Sequence, residues 1–321
     1  MKLLIIGDLH FHTWKQPQLL KFQNEFMESF IPSVIKQYSP NGIVFMGDIF
    51  ESRKMVDKQL VFKVLSWIED LSTKLQVYLV IGNHDYYTEE VSPFEIEHIL
   101  KHAKVFTEYG SASFNGFKLV FLPWNSWKKE IPIEFFGNNT LAFSHADIVG
   151  ISYPSEKSSP STGLNKDIVS KFYYLFNGHY HKRSRYGNII NVGSVMQRTL
   201  SDYGDQKCLT LFDTSNSGIL FIDIPHPIIK IISSRLEYDQ LVQEARDDII
   251  PIYVRKVEEN QLNRSSGAVG GGTVDLLKLT VNSMLELSKE YNISNLDYGV
   301  SLLEQVYGPS IREIINENKG S

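Results

Sequence analysis

The fold turns on residues 77–85, VYLVIGNHD. Val77 to Ile81 is a continuous apolar run, which fits a strand buried on both faces in a layered sheet with helices on either side. It stops at Gly82 and three side chains with ligand chemistry, Asn83, His84 and Asp85. Working outward, the same plan recurs along the chain. Leu3 to Ile6 leads to Asp8-Leu9-His10, and Ile43 to Met46 leads to Gly47-Asp48. Leu141 to Phe143 leads to Ser144-His145, and Tyr173 to Phe176 leads through Asn177 to Gly178-His179-Tyr180-His181. In open α/β sheets ligands bind beyond the carboxyl ends of the strands, so these strands are expected to deliver their polar groups to one edge.

The residue types name the chemistry. Imidazole and carboxylate together suit manganese, iron or zinc, whereas carboxylate alone would suit magnesium or calcium. Asp48 is the natural carboxylate to be shared between two ions, and glycines 47, 82 and 178 are expected to let the backbone turn where each strand ends. A lone DxH or HxH is more often an ordinary surface or core feature. The ordered set, each member following an apolar strand, is a much stronger signal.

Between the strands lie helices. Gln18 to Tyr38 has apolar residues at helical spacing, with Pro32 placed to kink or end it. Val56 to Leu75 is a second, and a third starts near Ser92-Pro93. From Gly116 shorter strands follow, at Lys118 to Leu122, Ile189 to Val192, Leu209 to Phe212 and Ile219 to Ile222, with a Ser- and Pro-rich loop over Ser152 to Lys166. Pro225-His226-Pro227 reads as a boundary, followed by strand (Ile228 to Ser233), helix (Tyr238 to Asp247) and strand (Ile250 to Val257). Asn263 to Thr273 is a flexible linker by composition, and two amphipathic helices follow it, Val274 to Glu290 and Leu296 to Asn316. The expected plan is therefore an α/β protein: a layered β-sandwich core flanked by helices over 1–224, a small α+β cap over 225–262, a linker over 263–273 and helices over 274–321.

Bulk properties narrow the class. The single cysteine, Cys208, excludes an intramolecular disulfide and a multi-cysteine zinc site, and suits a reducing compartment. The opening MKLLIIGDLH is too short an apolar run for a signal peptide and reads as a first strand. No stretch is long enough to cross a bilayer, so the expected place is the cytoplasm, a host's if a phage encodes the chain. A formal net charge of −5 gives no support to nucleic-acid binding and does not exclude it, because bound cations change the local sign.

The ordered set GDLH, GD, GNHD, SH and GHYH resembles the calcineurin-like metallophosphoesterases. The closer likeness is to the SbcD-type double-strand-break repair nucleases, especially phage-encoded exonuclease subunits. It rests on GDIFESRK at 47–54, LPW at 122–124 and GSVMQRTLSDYGDQK at 193–207, the last with Asp202 where a glutamate is usual. The resemblance implies two divalent ions, most naturally Mn2+. Asp8, His10 and His181 would hold one and Asn83, His145 and His179 the other, with Asp48 bridging. His84 would protonate the leaving sugar oxygen, and Asp85 would fix its ring. Two ions about 3.5–4 Å apart can make a hydroxide at neutral pH and neutralise phosphate oxygens, and a histidine can supply the proton.

Two departures stand out: Ser144 replaces the usual glycine, and Glu51 occupies the place of a second histidine in cellular members. The resemblance further implies DNA as substrate, an SbcC-like coiled-coil ATPase as partner gripped by the C-terminal helices, and a homodimer through the catalytic domain using the two early helices. Arg53, Lys182, Arg183 and Arg185 are candidates for contacting DNA phosphates, with a solvated basic turn as the equal alternative for the 182–185 group. Trp124 is expected to pack beneath the site. Two other functions remain open at this point, a small-molecule phosphodiesterase or nucleotidase of the same superfamily and a non-catalytic scaffold.

Overall fold

The computed structural model describes residues 1–53, 57–86, 100–151, 159–199, 202–232, 234–244 and 246–253. In chain order the strands and helices are β1 (Lys2–Ile6), α1 (Pro17–Glu25), α2 (Ile31–Tyr38), β2 (Gly42–Phe45), α3 (Lys58–Ser72), β3 (Gln76–Val80), β4 (Lys104–Phe106), β5 (Gly110–Phe114), β6 (Phe117–Leu122) and β7 (Gly137–Ser144). Then follow β8 (Ile148–Val149), β9 (Leu164–Asn165), α4 (Lys166–Val169), β10 (Phe172–Asn177), β11 (Ser184–Tyr186), β12 (Ile189–Asn191), β13 (Cys208–Asp213), β14 (Gly218–Asp223), β15 (Ile228–Ile232), α5 (Arg235–Glu244) and β16 (Ile249–Tyr253).

Two six-stranded sheets carry the fold, in the orders β14-β13-β1-β2-β3-β4 and β11-β12-β10-β7-β6-β5. In each, the inner strands run parallel; β13 and β14 continue the first sheet antiparallel beyond β1, and β5 and β11 close the second sheet antiparallel at its two edges. The apolar runs are continuous because both of their faces are covered. Leu3, Ile5, Val44, Met46, Tyr78 and Val80 from the first sheet share one core with Leu119, Phe121, Leu141, Phe143 and Phe176 from the second. The remaining residues of β1 and β2 point the other way, where Phe45 meets Trp67 of α3, which also meets Phe26. The second sheet's other face holds Val120, Leu122, Ala142 and Leu175 against Ile148, Leu164 and Val169.

The sequence expectation of a single receiving edge needs correction here. The strands that end in polar motifs belong to two stacked sheets: β1, β2 and β3 in one, β7 and β10 in the other. Periodicity shows that a strand is buried on both faces and says nothing of which sheet it joins. Register does the aligning within each sheet. Ile6 pairs with Phe45, and Ser144 with Asn177, so Asp8 and Asp48, and likewise His145 and Gly178, leave their sheets side by side.

Pro32 does not end its helix. The chain passes from α1 to α2 through a π-helical turn over Phe26–Phe30, which absorbs the missing proline N–H without interrupting the helical run. Helix α3 starts at Lys58, where the Asp57 carboxylate accepts hydrogen bonds from the amides of Gln59 and Leu60. The helix after the boundary starts at Arg235, ahead of the expected Tyr238. Residues 1–198, 204–228 and 247–250 form one compact unit, and the described residues of 199–203, 229–246 and 251–253 belong to a second. The segment after Ser92-Pro93, the linker and the C-terminal helices lie outside the described residues. Among the described residues, no helix is long and apolar enough to cross a membrane.

Candidate metal centre

The loops that leave β1, β2, β3, β7 and β10 meet at one place. Asp8, His10, Asp48, Asn83 and His145 are buried, and His84, His179 and His181 are half-buried, so the former make a floor and the latter its open side. His10 Nε2 and His181 Nε2 stand 3.1 Å apart, with Asp8 close enough to share a cation with them. On the other side, Asn83 Oδ1 lies 2.9 Å from His145 Nε2 and 3.0 Å from His179 Nδ1. Asp48 Oδ2 faces both groups, 3.6 Å from His10 Nε2 and 3.4 Å from His145 Nε2.

The backbone is bent to make this meeting possible. His10, Asp48 and His179 have φ of 49°, 46° and 76°, a left-handed conformation that costs on the order of 1–3 kcal/mol at a non-glycine residue. Of the three glycines expected to supply sharp turns, only Gly47 does so, with φ of 96°. Gly82 and Gly178 serve close approach instead. A Cβ at Gly82 would lie 2.3 Å from Asp48 Oδ1, and one at Gly178 would lie 2.7 Å from Asp8 Oδ1.

The partners of the imidazoles select their tautomers. His145 Nδ1 donates to the Met46 carbonyl at 2.7 Å, which turns Nε2 inward with its lone pair available. His10 Nδ1 lies 2.8 Å from Glu51 Oε2, an ion-pair distance without hydrogen-bond alignment, and this carboxylate behind the ring leaves Nε2 facing the centre. His179 is reversed. Its Nε2 lies 3.3 Å from Asp147 Oδ1, leaving Nδ1 inward, and Tyr180 donates its hydroxyl to that same carboxylate. Carboxylates and carbonyls that orient the far nitrogen are what metal-ligating histidines ordinarily have behind them. Burial works against ionising Asp147, but its contacts with His179 and Tyr180 hold its pKa below the usual value.

The electrostatics ask for a cation. Both oxygens of Asp8 are fully buried and lack a well-formed hydrogen bond. Burial, countered by His145 and reinforced by Asp48, pushes Asp8 up to about 7. Burial also works to raise Asp48, but His145, then His84 and His10, hold it well below the usual range. His10 is pushed down to about 3 by burial and by the Arg198 guanidinium, so it is the neutral imidazole a ligand must be. His145 goes the other way. Burial opposes its charge, yet Asp48 and Asp8 raise it to about 10, the position a divalent ion would take over from a proton. Nitrogen and oxygen donors converging on unsatisfied buried carboxylates fit divalent cations.

A model of the calcineurin-like phosphoesterase family matches residues 1–212. The chain belongs to that family. Its members are metal-dependent phosphoesterases, which is the chemistry this donor set fits. The phosphoesterase is also similar to exonuclease subunit 1 of Enterobacteria phage T4, 26% identical over 239 residues, covering 69% of this chain and 67% of that one. Among solved structures it is similar to an archaeal phosphodiesterase (15% identity, TM-score 0.38, 70% of this chain and 100% of that one). It is similar too to a Pseudomonas putida nuclease (12% identity, TM-score 0.32, 69% and 73%) and a hypothetical protein of Pyrococcus horikoshii (12% identity, TM-score 0.38, 76% and 93%).

The phosphoesterase departs from expectation at Asp85. Its carboxylate does not fix the His84 ring. Asp85 Oδ2 accepts from the amides of Asp48 at 2.8 Å and Gly82 at 2.9 Å, and Oδ1 accepts from Ile49 at 2.9 Å. It therefore ties the loop after β2 to the loop after β3. The His84 ring is held by the backbone carbonyl of Glu51, 2.5 Å from Nδ1. Neighbours in sequence need not share a direction, and within this turn His84 faces the opening while Asp85 is buried. Burial and the nearby Asp48 raise Asp85 to about 6, against the pull of the Gly82 and Ile49 amides. Asp85→Ala leaves three buried N–H donors without an acceptor and is expected to lower stability by about 3–5 kcal/mol. Thermal melting checks this, and a variant melting within a few degrees of wild type would remove Asp85 from the loop-tying role.

Two of the four basic residues have side chains engaged locally. Arg183 lies over the Phe221 ring at 4.3 Å, and Arg185 donates from Nε to the Gly187 carbonyl beside Tyr174. The Lys182 carbonyl accepts from Asn191, and Arg53 lies in the bend that follows Glu51. Trp124 is half-buried with its ring 5.0 Å from that of His179. Sequence reading missed Asp147, Glu51 as the partner of His10, and Arg198, whose guanidinium lies 3.0 Å from His181 Nε2. Arg198 lay inside the GSVMQRT segment and Glu51 inside GDIFESRK, whereas Asp147 carried no sequence signal.

Proposed function

We propose that this phosphoesterase is a manganese-dependent DNA nuclease, the catalytic subunit of an SbcCD-like complex that processes DNA ends in repair, recombination or replication. The observation that carries the reading is the 239-residue similarity to a phage exonuclease subunit, beside a family match over residues 1–212 that takes in the whole candidate centre. Asp8, His10 and His181 would hold one ion, Asn83, His145 and His179 the other, and Asp48 would serve both. When bound, such a pair supplies Lewis-acid charge at the phosphate and lowers the pKa of water. The chain's own groups do the rest. Asp147, Glu51 and the Met46 carbonyl hold the imidazoles in register, and His84 donates a proton to the departing sugar oxygen from the open side.

Arg53, Lys182, Arg183 and Arg185 would contact DNA phosphates near the opening. A homodimer is proposed through α1–α3, supported by Leu20 and Phe62, 40% and 74% exposed on those helices. An SbcC-like coiled-coil ATPase would bind the C-terminal segment.

The test is degradation of end-labelled linear duplex DNA with Mn2+, alone and with the ATPase partner, beside hydrolysis of mononucleotides and bis(p-nitrophenyl) phosphate. Cleavage of the duplex that EDTA abolishes and excess Mn2+ restores is expected. Turnover of small esters with intact DNA, even in the partner's presence, would replace the nuclease by a small-molecule phosphodiesterase.

A further inference from the structure

We infer that Asn177 and Asn191 are positioning residues of the metal centre. Bonded to each other, they clasp the chain on both sides of His145 and on both sides of His181, and so fix the separation of two histidines proposed for different ions. Strands β7, β10 and β12 are neighbours in the second sheet, and their last residues, Ser144, Asn177 and Asn191, stand in one row across it. All three side chains are buried. Asn177 Oδ1 accepts from the Ser144 hydroxyl at 2.6 Å and from the Ala146 amide at 3.3 Å. Its Nδ2 donates to the Ala146 carbonyl at 3.0 Å and to Asn191 Oδ1 at 3.3 Å. Asn191 Nδ2 in turn donates to the carbonyls of Tyr180 and Lys182, each at 2.8 Å. Both donors and both lone pairs of the Asn177 amide are used, and flipping either amide would set like groups against each other, so the network admits one orientation.

Burying amides at the ends of apolar strands is costly unless each of their groups finds a partner, and the identity of the partners is the informative point. They lie in loops, past the last rungs of the strand ladder, and they are not scattered. Ser144 and Ala146 flank His145, a proposed ligand of one ion, and Tyr180 and Lys182 flank His181, a proposed ligand of the other. The bond from Asn177 to Asn191 joins the two clasps. The loop that carries His181 needs such a hold, because His179 sits in it with φ of 76°, a conformation that histidine does not select for itself. Groups behind the ligands tune metal affinity by keeping the ligands where the ion needs them. Ser144, which stands where the resemblance places a glycine, adds the third member of the row.

The inference rests on the proposed division of ligands between two ions and not on DNA as the substrate. The test uses the full chain and Mn2+ alone, for wild type and Asn191→Leu. The two manganese affinities are measured by calorimetry, and the magnetic coupling between the bound ions by electron paramagnetic resonance. Asn191→Leu keeps the volume and takes this donor from the carbonyls beside His181. It is expected to weaken one manganese affinity by about 10- to 100-fold, to leave the other within threefold, and to reduce the coupling. A general loss of stability would move both affinities or neither, and would leave the coupling of a loaded pair as it is. Both affinities within twofold of wild type and unchanged coupling in a folded variant overturn the inference, and so does an equal loss at both sites. Should Asn191→Leu not fold, Asn191→Ser, which offers one donor in place of two, decides by the same readouts: a several-fold loss at one site with reduced coupling supports the clasp, and no loss or an equal loss overturns it. Wild type that binds fewer than two ions would defeat the ligand division itself and the inference with it, a result seen before any variant is compared.

Discussion

Asp48→Asn is expected to reduce phosphodiester hydrolysis by about 10³-fold or more, equivalent to roughly 4 kcal/mol of transition-state stabilisation, and to leave fewer than two ions per chain. Asp48 Oδ2 lies within 3.6 Å of an imidazole from each group, His10 on one side and His145 on the other. The other oxygen accepts the His84 amide at 2.7 Å. Asparagine can keep that second bond, so the loop over 82–85 has no reason to move. What it removes is the negative charge, and it turns an N–H2 group or a neutral carbonyl toward two cation positions at once. With Asp8 the only other carboxylate among the proposed ligands, the charge available to two divalent ions falls by half. Metal content by mass spectrometry and kcat/KM on bis(p-nitrophenyl) phosphate check this, with thermal melting as the control for folding. Two ions per chain with activity within tenfold of wild type would end Asp48's role as the shared ligand.

The parts of this centre that were legible in the sequence were those that follow a strand. A small residue (glycine, or Ser144 in one case) and an acid, amide or imidazole after each apolar run marked where a chain leaves a sheet, because double-sided burial demands a continuous run and the turn demands a break. A layered sandwich was expected, but which strand joins which sheet was not legible, since β1 and β7 show the same pattern. Short strands such as Lys104–Phe106 and Ser184–Tyr186 carry too few residues for any period to appear. Pairings across long stretches were also hidden. Glu51 and Arg198 meet across 147 positions, and nothing local to either announces the other. Asp85 was misjudged for the opposite reason. Adjacency to His84 suggested partnership, whereas a buried turn with three amides in search of an acceptor claimed the carboxylate first. The left-handed His10, Asp48 and His179 have no sequence mark at all, for histidine and aspartate rarely adopt that conformation unless the surroundings impose it.

The sharpest separation between binding and chemistry should come from His84→Gln, with an expected loss of about 10²- to 10⁴-fold on a phosphodiester whose leaving group is a sugar hydroxyl. The same change should cost little on bis(p-nitrophenyl) phosphate, because p-nitrophenolate departs without needing a proton. The geometry gives reason to expect a clean variant. The His84 backbone is fixed independently of its ring, through its amide on Asp48 and through Asp85's hold on the Gly82 amide. Its Nδ1 faces the Glu51 carbonyl, which directs Nε2 away from that wall and makes it the nitrogen available to a substrate. The ring edge also rests on His10, 4.9 Å between centroids, and His84 comes close enough to His10 and Asp48 to share a cation with them, so bound manganese is measured beside activity. Glutamine can fill the space and keep a hydrogen bond, but it cannot deliver a proton. Equal losses on both substrates, or a drop in bound manganese, would mean that His84 serves as a ligand or a phosphate contact, since a proton donor alone is blind to a leaving group that departs as a stable anion.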